Sequence, residues 1–166
     1  RCLSRGLGDV YKRQLQDFTV IDQVQRIEEY KPSVFGLLEI PEINVNQYVV
    51  SGTDDLSLQF GPGYYLGTNL PGSGGNVGIA GHRTTYGAPF SQLDLVEIGD
   101  EILLTVGSNK YHYKVDEVEI VDAVSGSYVL YNRGDDRITL TTCHPKYSAR
   151  QRLVVSGILH RIESGN

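Results

Sequence analysis

Methionine and tryptophan are absent from this sequence of 166 residues, and only two cysteines occur, Cys2 and Cys143. Without methionine there is no initiator residue, so we expect the natural N-terminus to lie further upstream. Two cysteines and four scattered histidines give no zinc-ligand spacing. No run approaches the roughly 18 consecutive apolar residues that a membrane-spanning helix needs.

Positive charge is scarce as well, because the chain carries 15 Lys and Arg against 20 Asp and Glu. This acidic balance, with no basic stripe, argues against a nucleic-acid partner. Acidic pairs occur at Asp54-Asp55 and Asp135-Asp136, but they lack the ligand spacing of a calcium loop and are interpreted as solvated turns. The sequence therefore predicts no metal and no cofactor, and calcium is the one metal that these turns leave open.

The first residues do not read like part of a folded domain. The run from Ser4 to Gln14 resembles the in-frame translation of a transposase adapter used to prepare sequencing libraries. We therefore interpret residues 1–14 as an adapter artefact, with a natural basic tail as the alternative, and exclude them from fold reasoning. Cys143 is then the one thiol to explain, as a nucleophile or as a buried apolar residue.

A short helix is predicted ahead of a β-rich domain. Between residues 16 and 30 apolar side chains recur at every third position, namely Phe18, Ile21, Val24 and Ile27. This is the period of an amphipathic helix, and Lys31-Pro32 ends it. We assign residues 15–33 to an N-terminal helix or stalk, and residues 34–162 to a single compact domain.

The rest of the chain has the pattern of a β protein, because short runs rich in Val, Ile, Tyr and Thr alternate with turn residues. Strands are predicted at residues 35–40, 44–50, 76–81, 101–106, 111–121, 138–143 and 152–159. The tripeptide Gly107-Ser108-Asn109 predicts a hairpin turn, and single helical turns are predicted at 89–95 and 126–133. Many short strands indicate a closed barrel or a sandwich, and the spacing alone does not decide between them.

Three residues indicate acyl-transfer chemistry. Cys143 ends a predicted strand, Arg152 opens the next one, and His82 follows the strand at 76–81. A thiol with the ordinary pKa of about 8.5 is only a few per cent ionised at neutral pH, so a nearby imidazole and guanidinium would favour the thiolate. An imidazole exchanges its proton near physiological pH, so His82 is the predicted acid and base. Arginine keeps its proton and cannot be the base, so Arg152 is the predicted oxyanion-stabilising cation.

Further polar residues are assigned to the surroundings of this site. Thr142 is predicted to offer substrate a hydroxyl or a backbone N–H, and Tyr65 and Tyr86 are predicted to line a substrate groove. The competing interpretation of Thr142 is an ordinary strand residue. Arg150 is the alternative to Arg152, since it lies two residues earlier and would share the same strand face if the strand extended to it.

The remaining candidates are expected to lie outside the site. Strand alternation predicts that the side chain of His144 points away from Cys143. Arg83 is interpreted as a surface cation or as one behind the site. His112 and His160 occur in alternating strands and are predicted to be on the surface.

The three blocks occur in the order strand–His, Thr139-Leu140-Thr141-Thr142-Cys143, and Arg on the next strand, which resembles the sortase transpeptidases. The similarity runs from about Gly36 to Leu159, and the stretches His82–Phe90 and Cys143–Arg150 look most like class E. The resemblance implies a closed eight-stranded sortase-type β-barrel with one or two short helices and an N-terminal helix, with residues 34–162 as the catalytic domain.

The resemblance also implies a function. Cys143 would cleave the Thr–Gly bond of a sorting signal of the Leu-Ala-x-Thr-Gly or Leu-Pro-x-Thr-Gly kind, and an amine of a peptidoglycan precursor would resolve the thioacyl enzyme. It implies secreted protein substrates and a location on the outer face of the cell membrane, held by an anchor upstream. A different cysteine hydrolase or L,D-transpeptidase is one alternative, although its Ser-His-Gly-Cys motif is missing. A catalytically inactive peptide-binding barrel is the other.

Overall fold

The computed structural model describes residues 30–165. Within them eight strands form a closed barrel with the neighbour order β1-β2-β3-β4-β7-β8-β6-β5, and β1 also pairs with β5. The strands are β1 (Val34–Ile40), β2 (Val45–Ser51), β3 (Gly63–Tyr64), β4 (Asn76–Ala80), β5 (Glu101–Val106), β6 (Asn109–Asp122), β7 (Arg137–His144) and β8 (Gln151–Ser164). The prediction of a mostly-β, closed eight-stranded barrel is confirmed.

Four 3-10 helices connect the strands in the described part of the chain: η1 (Pro41–Ile43), η2 (Ser57–Gln59), η3 (Leu93–Leu95) and η4 (Gly126–Leu130). The last two fall within the segments where helical turns were predicted. The predicted N-terminal helix at 16–30 and the adapter segment at 1–14 lie outside the described residues, apart from Tyr30, which has no regular secondary structure.

The barrel interior is apolar because alternate residues of each strand point inward. The fully buried hydrophobic side chains of the strands are Leu38, Ile40, Val49, Val77, Ile79, Ile102, Leu104, Tyr113, Ile138, Leu140 and Val155. Each stabilises the fold by about 1.5–3 kcal/mol on removal from water. In β7 the inward residues are Ile138 and Leu140, so the intervening odd-numbered residues face outward.

Two strands were predicted too short and one was missed. β6 and β8 each run for 14 residues, because the polar segment His160–Ser164 continues β8 along the start of β6. This pairing buries His112, which is only 5% exposed, so its predicted surface position is wrong. His112 Nε2 lies 3.0 Å from Glu163 Oε2, and this hydrogen bond lowers the pKa of Glu163. β3 has two residues, too few to show a periodicity.

Candidate active site

The predicted catalytic residues lie where three neighbouring strands meet at one end of the barrel. β4 and β7 run parallel and pair up to Ala80 and Thr141, after which Gly81 N–H donates to the carbonyl of Thr141 at 3.1 Å. β7 and β8 run antiparallel and place Cys143 directly opposite Arg152. Because parallel strands end at the same edge of a sheet, the residue after Gly81 is brought beside the end of β7.

Side-chain alternation decides which residues face the site. Ile79, Leu140 and Leu153 belong to the core, so Cys143 and Arg152, at the opposite parity of their strands, point to the outer surface of the barrel. A cavity of about 280 Å³ opens there. Its lining comprises Thr53, Asp55, Leu58, Tyr65, Ala80, Gly81, His82, Thr141, Thr142, Cys143 and Arg152. The structure therefore places a thiol, an imidazole and a guanidinium on one cavity.

The three catalytic candidates are half-buried where they line this cavity. His82 Nε2 is buried and has no hydrogen-bond partner among the described residues. Arg152 donates from Nη1 to the carbonyls of Ala149 and Gln151 at 3.0 and 3.1 Å, which fixes its guanidinium. The alternative cation, Arg150, is exposed and is not part of the cavity lining.

Thr142 and its neighbour Thr141 have different surroundings. The Thr142 hydroxyl is buried and donates to the carbonyl of Gly81 at 2.7 Å, so it connects β7 to the residue before His82. Thr141 shares the outward face of Cys143, and its hydroxyl lies 2.8 Å from that of Tyr65. Prediction from sequence selected Thr142 and missed Thr141, which the two-residue spacing from Cys143 would have indicated.

Tyr65 and Thr141 also border a second cavity of about 220 Å³. Its other walls are formed by the end of β6, the following turn and η4, with Arg152 on the side it shares with the first cavity. The turn is held by the Asp122 carboxylate, which accepts from the N–H groups of Val124 and Ser125 at 2.8 and 3.1 Å. These hydrogen bonds lower the pKa of Asp122. The two cavities share Tyr65, Thr141 and Arg152 as lining residues, and Cys143 lines the first of them.

Tyr86 lies beside His82 rather than in the cavity lining. Its ring centroid is 5.3 Å from that of His82, with the rings tilted by 45°. Tyr86 is 56% exposed and has a positive φ of 49°, so the loop turns there and carries the ring over the imidazole. Tyr86 is not among the residues that line either cavity, so its place in the substrate groove stays a prediction.

One acidic residue lines the cavity: Asp55, in the loop between β2 and η2. The preceding residue, Asp54, has a different environment. The Asp54 carboxylate is committed to Ser57, with Oδ2 accepting from its N–H at 3.2 Å and Oδ1 from its hydroxyl at 2.5 Å. The hydroxyl bond lowers the pKa of Asp54. Asp55, the next residue, is exposed and lines the cavity that contains Cys143. The cavity therefore combines one carboxylate with the cation of Arg152.

Arg83 is buried behind the site, only 4% exposed, so of its two predicted positions the surface one is excluded. Its Nη1 donates to the carbonyl of Cys143 at 3.1 Å and lies 3.1 Å from Nδ1 of His144. Its Nη2 pairs with the carboxylate of Asp94 in η3 at 2.9 Å. Arg83 lies between His82 and Thr84 in the sequence, and neither neighbour indicates that it is buried.

Residues 30–165 contain no group of three or more Asp, Glu, His or Cys side chains placed to hold a metal ion. In the same residues no helix is both long and apolar enough to cross a membrane.

Comparison with known proteins adds a family to this geometry. Residues 38–160 match the model of the Sortase family, described as the Sortase domain. Sortase D of Bacillus subtilis is 32% identical over 127 residues, which cover 75% of this chain and 63% of that protein. Sortase SrtE1 of Streptomyces coelicolor is 34% identical over 138 residues, covering 74% of this chain and 39% of that protein. The chain thus spans between 39% and 63% of the length of these two relatives.

The fold comparison agrees. The structure of sortase E from Streptomyces avermitilis superposes with a TM-score of 0.72 at 30% identity, and the alignment covers 81% of this chain and 93% of that one. The match extends across the barrel, so the sortase-type fold expected from the sequence is confirmed. Because the relatives are named as sortases D and E1, these matches support the family more strongly than any one class.

Proposed function

The chain belongs to the sortase family, and from this membership we propose that it is a cysteine transpeptidase that transfers secreted proteins to a cell-wall amine. The observation that carries the proposal is the cavity that Cys143, His82 and Arg152 line together. A thiol nucleophile, a group that exchanges protons near neutral pH and a permanent cation are the parts that acyl transfer needs.

In the first half-reaction the Cys143 thiolate attacks the carbonyl carbon of the threonine in the sorting signal. The Arg152 guanidinium stabilises the resulting oxyanion electrostatically. As the tetrahedral intermediate collapses, the C–N bond to glycine breaks, and protonated His82 gives its proton to the leaving amine. The products are a threonyl thioester on Cys143 and a fragment that begins with glycine.

In the second half-reaction an amine attacks the thioester carbonyl. Neutral His82 accepts the proton of this amine, the C–S bond breaks and Cys143 leaves as thiolate. A new amide joins the threonine to the acceptor, and both catalytic groups return to their starting protonation states. In this scheme His82 therefore acts first as acid and then as base.

The sorting signal is proposed to lie extended along the groove formed by the two cavities. The apolar wall of the second cavity, which includes Val121, Val129 and Leu130, would receive the leucine of the signal. Tyr65 and Thr141 stand between the cavities and would contact the middle of the peptide, with Thr142 supplying backbone near the reacting carbonyl. Tyr86 would cover His82 when substrate is bound.

The class and the motif are narrower proposals. The similarity to sortase E structures and to SrtE1 supports class E and hence the Leu-Ala-x-Thr-Gly motif, with Leu-Pro-x-Thr-Gly as the alternative. The acceptor is proposed to be an amine of a peptidoglycan precursor, and the enzyme is proposed to act on the outer face of the membrane in a Gram-positive cell, held by an anchor upstream. The proposed reaction uses no cofactor.

The proposal is tested by incubating the protein with Leu-Ala-x-Thr-Gly and Leu-Pro-x-Thr-Gly peptides and with triglycine or diaminopimelate, followed by mass spectrometry. We expect an adduct between the threonine and the added amine, and none from the C143A variant. A free threonine carboxylate as the sole product, whatever the amine, would instead establish a hydrolase. Failure to cleave either peptide by a folded protein would contradict the proposed specificity and favour a binding barrel.

A further inference from the structure

A buried cation lies behind the nucleophile, and the proposed mechanism does not use it. The Arg83 guanidinium is 4% exposed and contacts the Cys143 carbonyl, the His144 imidazole and the Asp94 carboxylate. Removing a guanidinium from water costs free energy that only well-matched charges and acceptors offset. The guanidinium that is buried at this cost belongs to the residue after His82, and it contacts the carbonyl of Cys143.

The contacts of Arg83 continue the strand pairing beyond its last backbone hydrogen bond. The ladder between β4 and β7 ends where Gly81 N–H donates to the Thr141 carbonyl at 3.1 Å. Two side chains then carry the connection further: the Thr142 hydroxyl donates to the Gly81 carbonyl at 2.7 Å, and Arg83 donates to the Cys143 carbonyl at 3.1 Å. The second of these joins the segment that carries His82 directly to the peptide of the nucleophile.

The same guanidinium selects the tautomer of the His144 imidazole. Arginine offers only donors, so Nδ1 of His144, at 3.1 Å from Nη1, must accept and the imidazole proton must reside on Nε2. Residues on both sides of the peptide bond after Cys143 are thereby held by one side chain. Asp94 holds that side chain in turn, from η3.

We propose that Arg83 is a positioning residue, which fixes the backbone at Cys143 relative to His82 so that thiol and imidazole meet the substrate carbonyl in reactive geometry. Arg83 does not belong to the cavity lining, so it acts through Cys143 and His144 rather than on substrate. A misplacement of about 1 Å in such a site costs on the order of a hundredfold in rate. The catalytic part of this inference rests on the proposed transfer function.

The test compares the R83Q, R83K and D94N variants of the full chain. For peptide cleavage we expect R83Q to lower kcat by about tenfold to a hundredfold with KM unchanged, because the groove itself is intact. R83K should give an intermediate kcat, since an ammonium keeps the charge but cannot reproduce the planar two-acceptor contact. D94N should retain kcat within about threefold, because the asparagine oxygen can still accept from Nη2 and the two contacts made by Nη1 do not involve residue 94.

A second measurement needs no substrate and separates this inference from the proposed function. Iodoacetamide alkylation of Cys143 at pH 7, mapped by mass spectrometry to distinguish it from Cys2, should slow in the order wild type, R83K, R83Q, with D94N near wild type. If the wild type cleaves no peptide but the alkylation order holds, the positioning role stands and the proposed function fails.

Three results would overturn the positioning role. The first is an R83Q variant, folded at the assay temperature, with the kcat and alkylation rate of the wild type. The second is an equal loss of kcat in R83Q and D94N that follows their loss of thermal stability, which would make the ion pair a structural contact only. If R83Q does not fold, R83K decides, and wild-type rates in R83K would contradict the role.

Discussion

At the scale of single residues, the structure distinguishes Arg152, which lies opposite Cys143, from Arg150 two residues earlier. Arg152 pairs with Cys143 across β7 and β8 and lines the cavity, whereas Arg150 is exposed beside the turn. We expect R152K to lower kcat by roughly a hundredfold to a thousandfold, because an oxyanion donor is lost when the planar fork is replaced. R150K is the matched control and should keep the wild-type kcat in a steady-state peptide assay. Equal effects of the two substitutions would contradict the assignment.

Asp55 allows a test of where the amine acceptor binds. It is an exposed carboxylate on the cavity that contains Cys143, and an incoming amine is cationic before it loses its proton. We expect D55N to raise the KM for the amine about two- to fivefold, the size of an exposed ion pair, without changing the KM for the peptide. The ratio of transfer product to hydrolysis product at a fixed amine concentration reports the weaker binding of the amine.

The neighbouring carboxylate provides the control for Asp55. Asp54 accepts two hydrogen bonds from Ser57, so D54N should lower stability and leave the KM for the amine unchanged. A rise in the KM for the peptide in D55N would place the sorting signal, rather than the amine, beside this carboxylate.

At the scale of elements, the wall of the second cavity depends on one buried amide. Asn76 at the start of β4 is fully buried, and its Nδ2 donates to the carbonyls of Val129 and Tyr131 at 2.9 and 3.2 Å. Its Oδ1 accepts from the Thr139 hydroxyl at 2.8 Å. These bonds hold η4 against the barrel, so the shape of the apolar wall is set from the strand below it.

We therefore expect N76A to raise the KM for the sorting peptide with little change in kcat, because η4 moves while Cys143 does not. The loss of these three hydrogen bonds should also lower the free energy of unfolding by about 1–3 kcal/mol. N132A, at an exposed position near η4, is the control: it removes only the exposed hydrogen bond from Gly134 N–H, so the KM should stay unchanged and the free energy of unfolding should fall by less than about 1 kcal/mol. Peptide kinetics and denaturant unfolding measure the two effects, and a fall in kcat at constant KM would show that the wall does not act through binding.

The elements also indicate what a sequence can and cannot predict. Strands with apolar alternation were predicted close to their observed bounds. That Cys143, His82 and Arg152 meet was predicted from the resemblance of their three blocks to the sortases. β3 is too short to have a period, and the end of β8 is polar, so neither was recognised. Segments distant in the sequence bury His112 and Arg83, and local sequence patterns cannot indicate such contacts.

At the scale of the whole molecule, one buried cation links the stability of the barrel to pH. Arg137 at the start of β7 is 4% exposed and donates to Asp135 at 2.8 and 2.9 Å and to Asp116 of β6 at 3.2 Å. The hydrogen bond from Arg137 is the main cause that lowers the pKa of Asp135 in the folded chain. A carboxyl with a lowered folded pKa stabilises the fold above its unfolded pKa of about 3.9, and this contribution is lost as the pH falls through the folded pKa.

We expect D135N to lower the free energy of unfolding at pH 7 by about 1–2 kcal/mol, since the buried guanidinium keeps only Asp116 as its counter-charge and the lost carboxylate is partly exposed. The difference from wild type should shrink as the pH falls from 7 to 3, because below the unfolded pKa of about 3.9 protonation of this carboxyl favours the unfolded chain. Denaturant unfolding at both pH values measures this. D136N is the control, because Asp136 accepts from Gly74 N–H instead of from Arg137. A deficit in D135N that is the same at pH 3 and pH 7 would mean that Asp135 stabilises the barrel through packing rather than through its charge.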